Sequence, residues 1–306
     1  MKAIVGLSGG VDSTYALWQA KNMGYDVLVV TFLNGWETDI ATNNIKYACD
    51  YLKIKTQFYQ CDQDEFHAIQ RAFLLASTPD AECPTDIAIK KTLLNAMDEY
   101  KADMIITGSN KQTEGRMPEE WSMIDGLYMK DVCRRFGVVL STFPNLFLYD
   151  AIRYKRHTFN ILERGDKTKP YNPTESKHLM ASLFGWQDYG GKHQENIYTR
   201  FVRGLRFYKF GIDPRIIEFH AKVKAGFMTY DEMMTEMKNP IVSIEQFMED
   251  WELVEQRLNV KRDEIMSLPI KSFRNYRTYR YHPAIVPIKK LFHMRLIPKR
   301  IKSIPP

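Results

Sequence analysis

Ser8-Gly9-Gly10-Val11-Asp12-Ser13 is the stretch of this chain best equipped for chemistry. Glycines at 9 and 10 let backbone N–H groups close on a ligand, and the hydroxyls of Ser8 and Ser13 add donors. A helix starting just after them aims its positive end at the same point. Together these make a site for an anion such as a phosphate. On local chemistry alone, a glycine turn with Ser13 as a helix cap is the plainer alternative. No Gly-Lys-Ser/Thr follows at the Walker A spacing, and the three-glycine dinucleotide fingerprint is absent. Asp12 stands where a triphosphate would lie. Its carboxylate suits a Mg²⁺ shared with phosphate oxygens, or else satisfies N–H groups at the helix start.

Two later stretches carry further candidates. Gly108 to Trp121, GSNKQTEGRMPEEW, is rich in donors and acceptors at a strand's carboxyl end. There Gly108, Ser109 and Asn110 can line a nucleotide, while Gln112, Thr113, Glu114 and Trp121 can face a second substrate; a solvated surface loop is the alternative. In Phe184 to Glu195, FGWQDYGGKHQE, Gly190 and Gly191 are expected to place Lys192, His193 and Glu195 at the start of a helix. A lysine there opposes the helix dipole unless it has an anion to bind, so Lys192 is a candidate for neutralising the charge of a phosphate group. Asp188, His193 and Glu195 are substrate-contact candidates. Arg200 and Arg203, farther along that helix, reach a phosphorylated acceptor or else form a solvated face.

These loops need a frame. Ala3–Leu7 and Val27–Phe32 are apolar runs one helix apart, the pattern of adjacent parallel strands buried on both faces. Thr38–Lys53, Asp64–Ala76 and Thr85–Tyr100 read as helices, with Thr56–Gln60 and Met104–Thr107 as further strands. Ligands of such sheets sit beyond the carboxyl ends of the strands, so the loops after Leu7, Phe32 and Thr107 are expected to converge. Thr31 and Phe32 then frame an adenine, or Phe32 is simply core. Past Leu140 the strands give out and helix signals dominate: Asp213-Pro214 as a start, and Thr229 with Glu232 and Ser243 with Gln246 as capping boxes. The expected division is an α/β nucleotide-binding domain at 1–143, a helical substrate domain at 144–270 and a basic tail at 271–306.

Composition narrows the class without choosing a function. A hydrophobic content of 44% supports a full core, and no run has the apolar length of a membrane span or the pattern of a signal peptide. A cytoplasmic protein is the expectation. Cys49, Cys61, Cys83 and Cys133 form no C-x-x-C pair, so neither a disulfide framework nor a zinc site is expected. The net charge of +6 belongs to the tail: Lys271–Pro306 holds ten basic and no acidic residues, leaving 33 basic against 37 acidic before it.

The loop at 8–13 resembles the SGGxDS signature of PP-loop ATP pyrophosphatases, which implies a Rossmann-like, adenine nucleotide alpha hydrolase-like parallel sheet. Taken with the blocks at 108–121 and 184–195, TFPNLFLY at 142–149 and KFGIDPR at 209–215, residues 1 to about 280 resemble the N-acetyl sugar amidotransferases of bacterial surface polysaccharide and lipopolysaccharide synthesis. The resemblance implies ATP and Mg²⁺, with AMP transferred to the amide oxygen of a nucleotide-linked acetamido sugar and ammonia then displacing AMP. It also implies ammonia from a separate glutaminase with a cyclase-like companion. Asp12 and Lys192 would be catalytic, with ATP held at Ser8 to Ser13, Thr31, Phe32 and Gly108 to Asn110. Family members begin with a cysteine-rich segment, whereas here the first strand starts at Lys2, which bears on metal binding and on docking of that companion.

Two other readings compete. A PP-loop ligase acting on tRNA would use the tail's arginines with Tyr276, Tyr279 and Tyr281 to hold RNA. The apolar residues of the tail, including Ile288 and Ile297, could instead hold a membrane surface or a partner. A homo-oligomer is left open.

Overall fold

The computed structural model describes residues 1–118, 121–165, 171–271 and 278–294. Five parallel strands form one sheet: β1 (Lys2–Gly6), β2 (Asp26–Leu33), β3 (Thr56–Gln60), β4 (Met104–Ile106) and β5 (Thr158–Phe159), in spatial order 3-2-1-4-5. Ile4 of β1 stands opposite Leu28 of β2 on one side and Ile105 of β4 on the other. Ala3, Ile4 and Val5 are wholly buried, which explains the unbroken apolar run. The chain builds outward from β1 to β3 and then returns to β1's other side. That reversal opens a crevice between the carboxyl ends of β1 and β4, where ligands of open sheets bind.

Helices cover both faces. Ala3 and Val5 share one core with α1 (Val11–Asn22), α2 (Asp39–Leu52), α8 (Ile161–Arg164) and α9 (Pro173–Phe184). Ile4 points the other way, into a core with α3 (Gln63–Ala76), α4 (Cys83–Tyr100), α6 (Gly126–Arg135) and α7 (Leu148–His157). A third core joins Trp36 and Leu74 to α10 (Ile197–Phe210), α13 (Ile244–Leu258) and α14 (Arg262–Ser267). The helical half is thereby welded to the sheet. At Gly204 a side-chain carbon would lie 2.5 Å from the Phe247 ring, so only bare backbone lets α10 and α13 approach this closely. A single turn, α5 (Lys111–Glu114), leans on α11 (Arg215–Ala225), with Gly115 against Ile217; α12 (Tyr230–Glu236) follows.

Several expectations shift in detail. β5 lies beyond Leu140, where no strand is expected, because two residues carry no readable periodicity. Pro214 caps α11 rather than opening it, while the Asp213 carboxylate accepts from the Arg215 N–H and grips its guanidinium. The Thr229–Glu232 box forms in both directions. Ser243 caps the Gln246 N–H, but the Gln246 side chain turns to Glu249 and Asp250.

The tail differs most. Tyr276 and Ile297 lie outside the described residues. Tyr279, however, is 2% exposed, donates its hydroxyl to the Ala76 carbonyl at 3.1 Å and meets Tyr128 edge-on. Ile285, opening α15 (Ile285–His293), is buried in the same core. This part of the tail is structural. Tyr279→Ala should therefore lower the unfolding free energy by roughly 3 kcal/mol in urea titration; an unchanged midpoint would contradict this packing.

Candidate active site

The turn after β1 is folded against its own neighbours. Gly9 has φ +81°, and a side-chain carbon on it would lie 2.3 Å from the Ala41 carbonyl oxygen. The Ser13 hydroxyl donates to the Gly10 carbonyl at 3.1 Å and accepts from the Ser8 N–H at 3.3 Å. Two donors hold the Gly9 carbonyl: the Trp186 indole at 2.9 Å and the Asn44 amide at 3.2 Å. Gly10 is the N-cap of α1 and contributes no side chain. The Val11 N–H that opens the helix donates to the Tyr189 hydroxyl at 3.3 Å. Gly108, after β4, lies directly on this turn, since a side-chain carbon there would be 2.5 Å from the Ser13 nitrogen. The loops after β1 and β4 thus meet at the crevice.

Asp12 is the hub. The Tyr171 hydroxyl donates to its Oδ1, while its Oδ2 accepts from Lys192 Nζ at 3.3 Å and from the Thr113 hydroxyl at 3.4 Å. Lys192 also reaches Thr113 Oγ1 at 3.3 Å and Glu114 Oε1 at 3.2 Å. Burial opposes the lysine's charge, but Asp12, Glu114 and Glu218 outweigh it and raise its pKa. Burial likewise raises the Glu114 carboxyl, with Lys192 pulling the other way. Behind this cluster the Arg203 guanidinium donates both arms to Glu218 at 2.7 and 3.0 Å, both residues being buried. Burial pushes the Glu218 carboxyl up, yet Arg203 prevails and brings it down to about 2.

Lys192, His193 and Glu195 do not begin a helix. Asn196 caps α10, its Oδ1 accepting from the Thr199 N–H at 3.1 Å, so the three residues sit in the preceding loop. Lys192 therefore does not belong to a helix start; Asp12 and Glu114 answer its charge. Glu195 is placed by its backbone, whose carbonyl accepts from both the Thr38 N–H and hydroxyl at 3.1 Å, and its carboxylate stands beside Gly10. His193 adopts φ +65°.

The remaining candidates scatter. Thr31 donates its hydroxyl to the Leu7 carbonyl at 2.8 Å, and Phe32 meets Phe66 edge-on in the core. Ser109 and Gln112 are exposed, whereas Asn110 is buried and caps α5. Asp188 pairs with Lys177 at 2.6 Å and accepts from the Gly190 N–H, shaping the glycine turn. Trp121 is half-buried, and its carbonyl accepts from Arg206. Arg200 faces away from the cluster and pairs with Asp250 at 2.6 Å. Tyr171, Asn44 and Glu218 carry no sequence signal that singles them out. Tyr171 follows a polar turn and the other two lie within helices, so only the tertiary fold brings them in.

The family described as "Queuosine biosynthesis protein QueC" matches residues 2–95, and "LPS biosynthesis protein WbpG-like, C-terminal domain" matches residues 195–292. The chain is 33% identical over 141 residues to the tRNA-specific 2-thiouridylase MnmA of Colwellia psychrerythraea, covering 41% of this chain and 37% of that protein. It is 35% identical over 98 residues to a 7-cyano-7-deazaguanine synthase of Caldicellulosiruptor bescii, covering 31% and 42% respectively. Its N-terminal region is thus similar to PP-loop ATP-using enzymes. The PP-loop match thus spans well under half the length of either relative. A solved "predicted subunit of tRNA methyltransferase" from Methanocaldococcus jannaschii aligns over 70% of this chain and 91% of that one, at 14% identity and a TM-score of 0.34, too loosely to bear on the assignment.

Acid exposes the pair behind the PP-loop. Glu218 titrates at about 2 in the fold against an ordinary 4.5, so its contribution is complete above the ordinary value and is lost as pH falls toward the folded one. In urea unfolding followed across pH, Glu218→Gln should flatten that part of the acid decline. Superimposable pH curves would contradict the pairing.

Proposed function

We propose that the protein uses ATP to adenylate the amide oxygen of a nucleotide-linked N-acetyl sugar and then replaces that oxygen with ammonia-derived nitrogen. The products are an acetamidino sugar, AMP and pyrophosphate. One observation carries this reading: the chain joins a PP-loop-like segment to a WbpG-like segment described by lipopolysaccharide synthesis, and the Glu195 carbonyl, accepting from both the Thr38 N–H and hydroxyl, ties the two. An amide oxygen leaves poorly, so it must be esterified to phosphate before nitrogen can displace it.

The residues divide the work. The N–H groups at the start of α1, with the Ser8 and Ser13 hydroxyls, would cradle the triphosphate. Tyr189 and Lys192 would give up their contacts to Val11 and Asp12 as phosphate oxygens arrive, and Lys192 would then balance charge on the departing pyrophosphate. Mg²⁺ fits the Asp12 carboxylate, since that metal takes one or two carboxylates and fills its shell with phosphate and water. Among the described residues no cluster of three or more His, Cys, Asp or Glu could hold a metal unaided, so the ion would enter with the nucleotide. When bound it would screen the phosphate charge. A separate glutaminase with a cyclase-like companion would supply the ammonia.

The thiouridylase matches favour a second reading, a PP-loop enzyme that modifies tRNA. Thiol chemistry weighs against sulfur transfer. Burial raises all four cysteines, Cys61 to about 11 and Cys133 to about 12, leaving no ready thiolate among them.

The test is incubation with ATP, ammonium and a panel of nucleotide-linked acetamido sugars, read by mass spectrometry. Exchange of one oxygen for NH is the expected result; AMP transfer to tRNA with every sugar untouched would overturn it. Asp12→Ala and Lys192→Ala should each abolish sugar-dependent pyrophosphate release. Full activity in either variant would remove that residue from the mechanism.

A further inference from the structure

We infer that Tyr171 is a positioning residue that orients the Asp12 carboxylate for the cation accompanying the nucleotide, an assignment that rests on the ATP and Mg²⁺ binding proposed above. The ring is anchored from several sides. Tyr171 is 4% exposed and immediately precedes Asn172, whose side chain caps α9 by accepting from the Thr174 and Glu175 N–H groups. Its ring packs on Tyr15 with centroids 5.3 Å apart and meets Phe227 edge-on at 6.5 Å. Tyr15 stands three residues beyond Asp12 on α1, so the ring and the hydroxyl of Tyr171 grip neighbouring positions on one side of that helix.

The two groups that hold Asp12 most directly differ in kind. The Lys192 ammonium cancels the carboxylate's charge. The Tyr171 hydroxyl, donating to Oδ1, fixes the direction of one oxygen and leaves that charge in place for a cation. Burial first, then the Asp12 charge, raise the Tyr171 pKa above its ordinary value. The phenol therefore stays protonated, and a donor, at neutral pH.

This grip matters because the other oxygen is contested. Oδ2 accepts from Lys192 Nζ at 3.3 Å and from the Thr113 hydroxyl at 3.4 Å, while Lys192 also reaches Glu114 at 3.2 Å. A carboxylate released at Oδ1 would be free to turn about its Cβ–Cγ bond and share both oxygens with the lysine, whose ammonium has three protons to donate. With Oδ1 held by a neutral partner, Lys192 contacts Oδ2 alone. Its hold on the carboxylate is thereby kept weak enough for an incoming cation to displace.

The experiment compares wild type with Tyr171→Phe in the full chain, a change that keeps the ring and removes the hydroxyl. Calorimetric titration with ATP, once in excess Mg²⁺ and once in EDTA, separates the cation's share of binding from the rest. Tyr171→Phe should weaken binding of MgATP roughly 10-fold or more and leave binding of metal-free ATP unchanged. In an Asp12→Asn background, where the carboxylate is gone, the same change should alter MgATP affinity by no more than about twofold. Unchanged MgATP affinity, equal weakening with and without Mg²⁺, or an undiminished effect in the Asp12→Asn background overturns the assignment. A wild type that fails to bind MgATP overturns the nucleotide site itself, and the role of Tyr171 with it.

Discussion

A carboxylate at the mouth of a phosphate loop must be neutralised before an anion can enter. Asp12 meets this constraint with partners drawn from three distant segments: Tyr171 on one oxygen, and Lys192 and Thr113 on the other. None of these contacts is large by itself. Their joint effect is large, because a half-buried charge left without partners would cost several kcal/mol. The crevice between β1 and β4 supplies the place, and the convergence of α5, the approach to α9 and the 190–193 turn on Asp12 supplies the partners. Lys192 itself is shared between Asp12 and Glu114.

The helical half does more than cover the sheet. Trp186 and Asn44 both hold the Gly9 carbonyl, and Asn44 also exchanges hydrogen bonds with the Gln187 backbone. Movement of the 184–195 loop would therefore be felt in the conformation of the phosphate loop itself. Arg203 and Glu218 fix α10 against α11 behind the cluster, and α11 in turn supports α5 through the glycine contact at Ile217. The loop that carries Lys192 is braced at both ends.

Much of the frame was legible because buried parallel strands advertise themselves. β1, β2 and β4 are largely apolar runs whose ends the sequence marks within a residue or two, whereas β3, at the sheet's edge, is mostly polar. Gly9 and Gly108 were legible as well, since close backbone approach leaves glycine as the residue that fits. The helix start expected at Lys192 was not found, because consecutive glycines mark a turn without saying how far away the helix begins; Asn196 held that signal. Arg200 and Arg203 look alike in sequence and lie less than one turn apart on α10, yet one pairs with Asp250 of α13 and the other with Glu218 of α11, a difference that only the packed neighbours decide. Tyr171 and Glu218 carry no local pattern, for their roles exist only in the assembled cleft. Tyr279 misled for a related reason: an aromatic among arginines looks the same whether it stacks on a base or fills a core.

The path of a single atom tests the account most directly. If the acetamido carbonyl carries a heavy oxygen isotope, AMP transfer to that oxygen followed by nitrogen attack requires the label to depart in the phosphate of AMP. Recovery of the label in AMP, with none in pyrophosphate, is the result expected. Label appearing in inorganic phosphate, or retained in the product sugar, would contradict activation of the amide oxygen by AMP at this loop.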